Sequence, residues 1–137
     1  MKCSVNKVIA MMAFSAAYAT AVHAEIVVVV GAKAGKASMT SEQVTDIFLG
    51  RDNSMEPVDL SDSTSIRNDF YTKVTGKDAA QVKSLWTKLI FTGKATPPKI
   101  ASSAAEVKSK VAADGKTIGY MNKSDVDGSV KVVLTVE

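Results

Sequence analysis

The feature that most restricts this chain is the run Ile26-Val27-Val28-Val29-Val30, an unbroken series of β-branched residues just behind Glu25. A half-exposed strand alternates apolar and polar side chains; this run does not alternate. It predicts a strand buried on both faces, as in a parallel sheet covered by helices.

Helices follow in the pattern such a sheet requires. Gly31 to Met39 is small and polar and reads as a loop. Thr40 or Ser41 then caps a short amphipathic helix through Val44, Ile47 and Phe48, which Gly50 ends. A polar turn, Arg51 to Glu56, leads to a brief strand over Pro57-Val58-Asp59-Leu60. The hydroxyl-rich run Ser61-Asp62-Ser63-Thr64-Ser65 offers several N-caps for a helix with Ile66, Phe70 and Val74 on one face. Gly76 breaks that helix and Asp78 caps the next, where Val82, Leu85, Trp86, Leu89 and Ile90 recur at helical spacing. Thr92 to Pro98 is a loop, because Pro97-Pro98 cannot continue a helix. Ser103 starts a helix through Ala104, Val107 and Val111 that stops before Gly115. Thr117 to Met121 and Ser129 to Val136 read as strands joined by a polar turn through Asp127-Gly128. Strands interleaved with helices predict an α/β fold, a three-layer sandwich with a mostly parallel central sheet.

The first 24 residues read as a separate segment. Lys2 and Lys7 precede an uncharged stretch from Val8 to Tyr18, and small residues close on Ala21-Val22-His23-Ala24. A basic start, about 7–15 apolar residues and a small-x-small exit describe a cleavable secretory signal peptide. A membrane anchor would need about 20 apolar residues. Cys3 lies ahead of the apolar stretch rather than after it, so it is not placed for lipid attachment. The expected organisation is residues 1–24 as signal peptide and 25–137 as one exported, periplasmic domain without a membrane anchor, too short for two lobes.

Removing that segment narrows the chemistry. The chain has one Cys and one His, Cys3 and His23, and both leave with the signal peptide. Thiol nucleophiles, disulfides, Ser-His-Asp triads and Cys/His zinc sites then have no residues to build them. Lys and Arg number 17 against 14 Asp and Glu, and Lys2 and Lys7 are lost too, so the remaining surface is close to neutral and carries no nucleic-acid footprint. Gly31 to Ser38 only superficially resembles a phosphate loop: its glycines are too close, and Ala37 stands where Ser or Thr should follow Lys36. Asn122-Lys123-Ser124 matches the short glycosylation pattern and nothing supports it further. No carboxylate pair or Ser-Lys spacing marks a catalytic site.

The run Ser61, Asp62, Ser63, Thr64, Ser65 is the candidate ligand site. It opens a helix, where free N–H groups and the helix dipole favour an anion, and Arg67, one turn inside, is a candidate source of charge. Plain capping would need only one of these hydroxyls, so both readings stand.

Three boxes, in order, carry a resemblance. Ile47-Phe48-Leu49-Gly50 looks like the "IFLG" box of phosphate-type periplasmic substrate-binding proteins. Trp86 with Leu89-Ile90-Phe91-Thr92-Gly93-Lys94 and Pro97-Pro98 resembles the "W…FTG…PP" segment of their small relatives. Ile118-Gly119-Tyr120 resembles their "IGY" strand. The resemblance implies one lobe of a type 2 periplasmic binding protein, standing alone. In that family a segment of the form R-S-D-G-S-G-T grips the anion. Here the matching stretch starts at Leu60 instead of arginine, keeps Ser61, Asp62 and a hydroxyl at Thr64, and replaces the glycines by Ser63 and Ser65 and the threonine by Ile66. The implied function is non-enzymatic binding of phosphate or another small oxyanion, for an ABC-type uptake or sensing system, with no cofactor or metal. The rival reading is an interaction module that kept the fold and lost the ligand, docking on an envelope transporter, porin or sensor. A second copy of the chain, as a homodimer, is a further candidate partner.

Overall fold

A computed structural model describes residues 25–136. The signal peptide expected over residues 1–24 lies outside the described residues. No helix among those described is long and apolar enough to cross a membrane.

The chain runs β1 (Ile26–Gly31), α1 (Ser41–Phe48), β2 (Glu56–Leu60), α2 (Ser65–Thr75), α3 (Ala79–Phe91), β3 (Lys99–Ala101), α4 (Ala104–Ala113), β4 (Thr117–Asn122), a single 3-10 turn (Lys123–Asp125) and β5 (Val130–Val136). The strands form one sheet in the order β3-β2-β4-β1-β5. β2 is parallel to β3 and β4, while β1 is antiparallel to both β4 and β5. Four strands therefore point one way, and β1 alone opposes them. β1 is buried along its whole length, as its composition requires. Its direction differs from the parallel expectation because a continuous apolar run reports cover on both faces, whichever way the neighbouring strands point.

Side chains alternate across a strand, and β4 shows how this makes three layers. Gly119 faces α4, and Tyr120 faces α1 and α2. A Cβ on Gly119 would stand 2.6 Å from Val107 Cγ1 and 3.2 Å from Val111 Cγ2, so only glycine lets α4 lie this close to the sheet. On the other face the Tyr120 ring stacks on Phe70, with centroids 3.9 Å apart, and Phe48 meets both rings edge-on. Helix α3 packs on α2.

The helix starts follow from local capping. Thr40 and Gln43 form a reciprocal capping box for α1, Asp78 and Gln81 form one for α3, and the Ser103 hydroxyl accepts from the Glu106 N–H to open α4. Gly50 ends α1 in the left-handed region (φ 77°). A Cβ there would also come within 3.0 Å of the Trp86 ring. The Trp86 indole N–H donates to the Phe48 carbonyl at 2.9 Å, closing the end of α1 from outside. The glycine of the first box and the tryptophan of the second thus form one joint between α1 and α3.

Two expectations need correction. β3 falls in the stretch between Pro98 and Ser103, to which the sequence pattern assigned no element. Ile90, placed on the apolar face of α3 by periodicity, is 49% exposed.

Candidate functional site

Strand β2 carries a charged residue into the interior. Asp59 is 2% exposed, and its neighbours Val58 and Leu60 are buried too. Its carboxylate accepts four hydrogen bonds, two on each oxygen. Oδ1 takes the Leu60 N–H at 2.8 Å and the Tyr120 hydroxyl at 2.5 Å; Oδ2 takes the Tyr71 hydroxyl at 2.6 Å and Arg67 Nε at 3.2 Å. Arg67 is buried as well, and its guanidinium lies 5.5 Å from the centre of the Tyr71 ring. A lone buried charge would be costly; here each has an opposite charge and charge-assisted hydrogen bonds. Among the described residues no buried side-chain N or O lacks a partner.

The cluster also sets the protonation of its phenols. Burial, with the Asp59 charge beside it, holds the Tyr71 hydroxyl well above the usual tyrosine range, and the same two causes in the same order raise Tyr120. Both phenols remain protonated donors at neutral pH. Burial alone would lower the pKa of Arg67, but Asp59 outweighs it and the result is a rise.

The predicted ligand run lies immediately beyond, on the turn between β2 and α2. The Ser61 N–H donates to the Ala101 carbonyl at 3.0 Å, fastening the turn to the end of β3. The Ser61 and Ser63 hydroxyl oxygens are 2.8 Å apart. The Thr64 hydroxyl donates back to the Ser61 carbonyl at 2.8 Å and so does not cap α2, the one helix of the four without a side-chain cap. Asp62, Ser63 and Ser65 are exposed; Ser61 and Thr64 are partly so. The turn stands at the carboxyl ends of β2 and β3, the side of a parallel strand pair on which open α/β folds place ligands.

Ser61 through Thr64 are thus brought together, while Arg67 is directed elsewhere. Its Nε meets Asp59, and its NH1 group pairs with Asp62. The guanidinium bridges the interior to the turn, and much of its charge is already balanced. Lys83 approaches Asp62 at 3.9 Å from α3.

Sequence reasoning passed over Asp59 altogether. The signal was present as a single acid between Val58 and Leu60 in a strand, with Arg67 and Tyr71 one helical turn apart in the helix that follows.

No protein-family model matches the chain, and no curated protein matches its sequence. Solved structures do match its fold. A Clostridium perfringens protein assigned as a phosphate ABC transporter substrate-binding protein, solved with bound phosphate, aligns over 80% of this chain at 23% identity and a TM-score of 0.64. An ABC-type phosphate transport receptor from Vibrio cholerae aligns over the same share at 18% identity and 0.62. PstS from Borrelia burgdorferi does so at 12% and 0.60. The match takes in 45%, 46% and 47% of those three chains, so this chain corresponds to about half of each. The domain is an α/β unit built like one lobe of a phosphate-type binding protein.

Proposed function

We propose that this chain is an exported, non-catalytic substrate-binding-type protein whose ligand is a small, phosphate-like oxyanion at the β2–α2 turn, serving an ABC-type uptake or sensing system. The observation that carries this reading is the open start of α2. Its first N–H groups have no side-chain acceptor, and the Ser61 and Ser63 hydroxyls stand together on the turn before it. Helix N-termini favour anions through those N–H groups and the helix dipole. The fold is that of proteins described as phosphate-binding, one of them solved with phosphate. The residues favour a half-site of low affinity. Leu60 occupies the place of the family's arginine, and Arg67 is engaged by two carboxylates. One lobe also leaves the anion partly hydrated, so affinity weaker than about micromolar is expected unless a partner or second copy covers it.

Calorimetry of the purified protein with phosphate and with sulfate tests this. The Asp62 carboxylate can accept a hydrogen bond from the O–H of hydrogen phosphate but repels sulfate, which has no O–H to donate. Phosphate should bind more tightly, and Asp62→Asn should narrow the difference. Equal affinities refute the role given to Asp62, and no binding of either anion refutes the oxyanion reading. The second reading, an interaction module without a ligand, is favoured by the same Leu60 and by the inward commitment of Arg67. Export is tested by intact mass: protein from the periplasmic fraction should begin at Glu25 and carry no lipid.

A further inference from the structure

Two of the three sequence boxes are explained by packing: Gly50 lies under Trp86, and Gly119 under α4. The third is explained only as far as Trp86. Beyond it the segment turns outward: Ile90 is 49% exposed, Phe91 92% and Ile100 56%, and these are the exposed large apolar side chains among the described residues. Scattered apolar residues on a surface are ordinary, but contiguous ones mark a contact face, and Ile90 and Phe91 are adjacent at the end of α3. Phe91 ends α3, and the loop after it lines a groove of about 500 Å³ in which Met55, Pro57 and Pro97 alternate with Glu56, Lys94 and Thr96. From Ala79 through Ala105 the chain has four lysines and no acidic residue. Lys83 and Lys99 are near Asp62 and Glu56, whereas Lys88 and Lys94 have no acidic partner within the described residues.

We propose that the end of α3 and the loop Gly93 to Pro97 dock an acidic segment of another protein. An apolar side chain of the partner fills the groove beside Pro57 and Pro97, while its carboxylates meet Lys88 and Lys94. Charge complementarity selects the sign of the partner, and the groove selects its kind. A bilayer surface has no side chain to insert into a groove, whereas a polypeptide does. The groove adjoins the start of β2 and the oxyanion turn follows its end, so this proposal holds whichever reading of the turn is correct.

The experiment titrates isotope-labelled purified protein with short peptides in which glutamates flank a central leucine. Controls are the same peptides with lysine for glutamate, and vesicles of phosphatidylglycerol with phosphatidylethanolamine. The glutamate peptides should shift the amides of Ile90 to Thr96 and of Met55, an effect that added salt weakens, and the controls should not. Phe91→Ser should weaken binding about tenfold with the melting temperature unchanged, because the ring is exposed, and Lys94→Glu should reduce its salt dependence. Phosphate calorimetry on the same variants should match the parent protein, which separates this face from the turn. The proposal is overturned if the acidic peptides shift nothing or shift another region, if the vesicles bind instead, or if the protein is a dimer that Phe91→Ser dissolves.

Discussion

Strand β2 leads into two carboxylates, Asp59 inside the fold and Asp62 on the turn beyond it, and Arg67 reaches both. Inside, the Asp59 oxygens are filled by four donors and nothing is left to offer a ligand. Outside, the Asp62 side chain is 66% exposed among hydroxyls that bond mainly to one another. The same chemical group closes a buried network at one position and forms exposed ion pairs on a turn at the other. Arg67 joins the two regions without belonging wholly to either.

The largest effect expected from breaking this contrast is at Asp59. Asp59→Ala leaves the Arg67 guanidinium buried with its inner partner gone, and removing one partner of a buried pair costs about 3–5 kcal/mol. Urea unfolding followed by circular dichroism should show that loss, or an unfolded chain. A milder cut at the same cluster is Tyr71→Phe, which takes one donor from the carboxylate. A hydrogen bond to a charged group contributes about 1.5–3 kcal/mol, and the urea midpoint should fall accordingly.

The same cluster should yield to alkali. Both phenols are raised in the folded state, so their contribution is fully present below the ordinary tyrosine value and lost as pH climbs through it. Stability should stay level up to about pH 10 and then fall by about 1.4 kcal/mol per phenol per pH unit. Ultraviolet absorbance would show Tyr71 and Tyr120 ionising together with unfolding; ionisation in the intact fold would contradict the burial of the cluster. The smallest expected effect is that of Asp62→Asn. The Asp62 carboxylate is 66% exposed, and its replacement leaves Arg67 its inner partner Asp59, so the loss should be about 1 kcal/mol and the urea midpoint should move little. A loss as large as that of Asp59→Ala would erase the distinction between the two acids.

Much of the scaffold was legible because its signals are local. The caps at Thr40, Asp78 and Ser103, the glycine stop after α1 and the apolar spacing of α3 each act within a few residues. What escaped depends on distant partners. The three residues of β3 are too few to show a period, and they become a strand only because β2 offers an edge to pair with. The direction of β1 is set by neighbours far along the chain. Asp59 is stabilised by groups on a helix and on β4, so its apolar neighbours Val58 and Leu60 hint at burial without naming the partners that permit it. The Ser61–Thr64 run was legible as a turn before a helix. The inward course of Arg67 was not, since it follows from Asp59.

The placement of β1 bears on the order of folding. Ile26 pairs with Asn122 on one side and Val136 on the other, so the earliest described strand is completed only by the last two. Contacts so distant along the chain are slow to form, because the intervening loop must lose its freedom before they can reward it. A chain that enters its compartment from the N-terminal end shows β1 before the other described strands and covers it last. Truncation before Val130 would leave that stretch with an open edge, the kind of edge that recruits other chains.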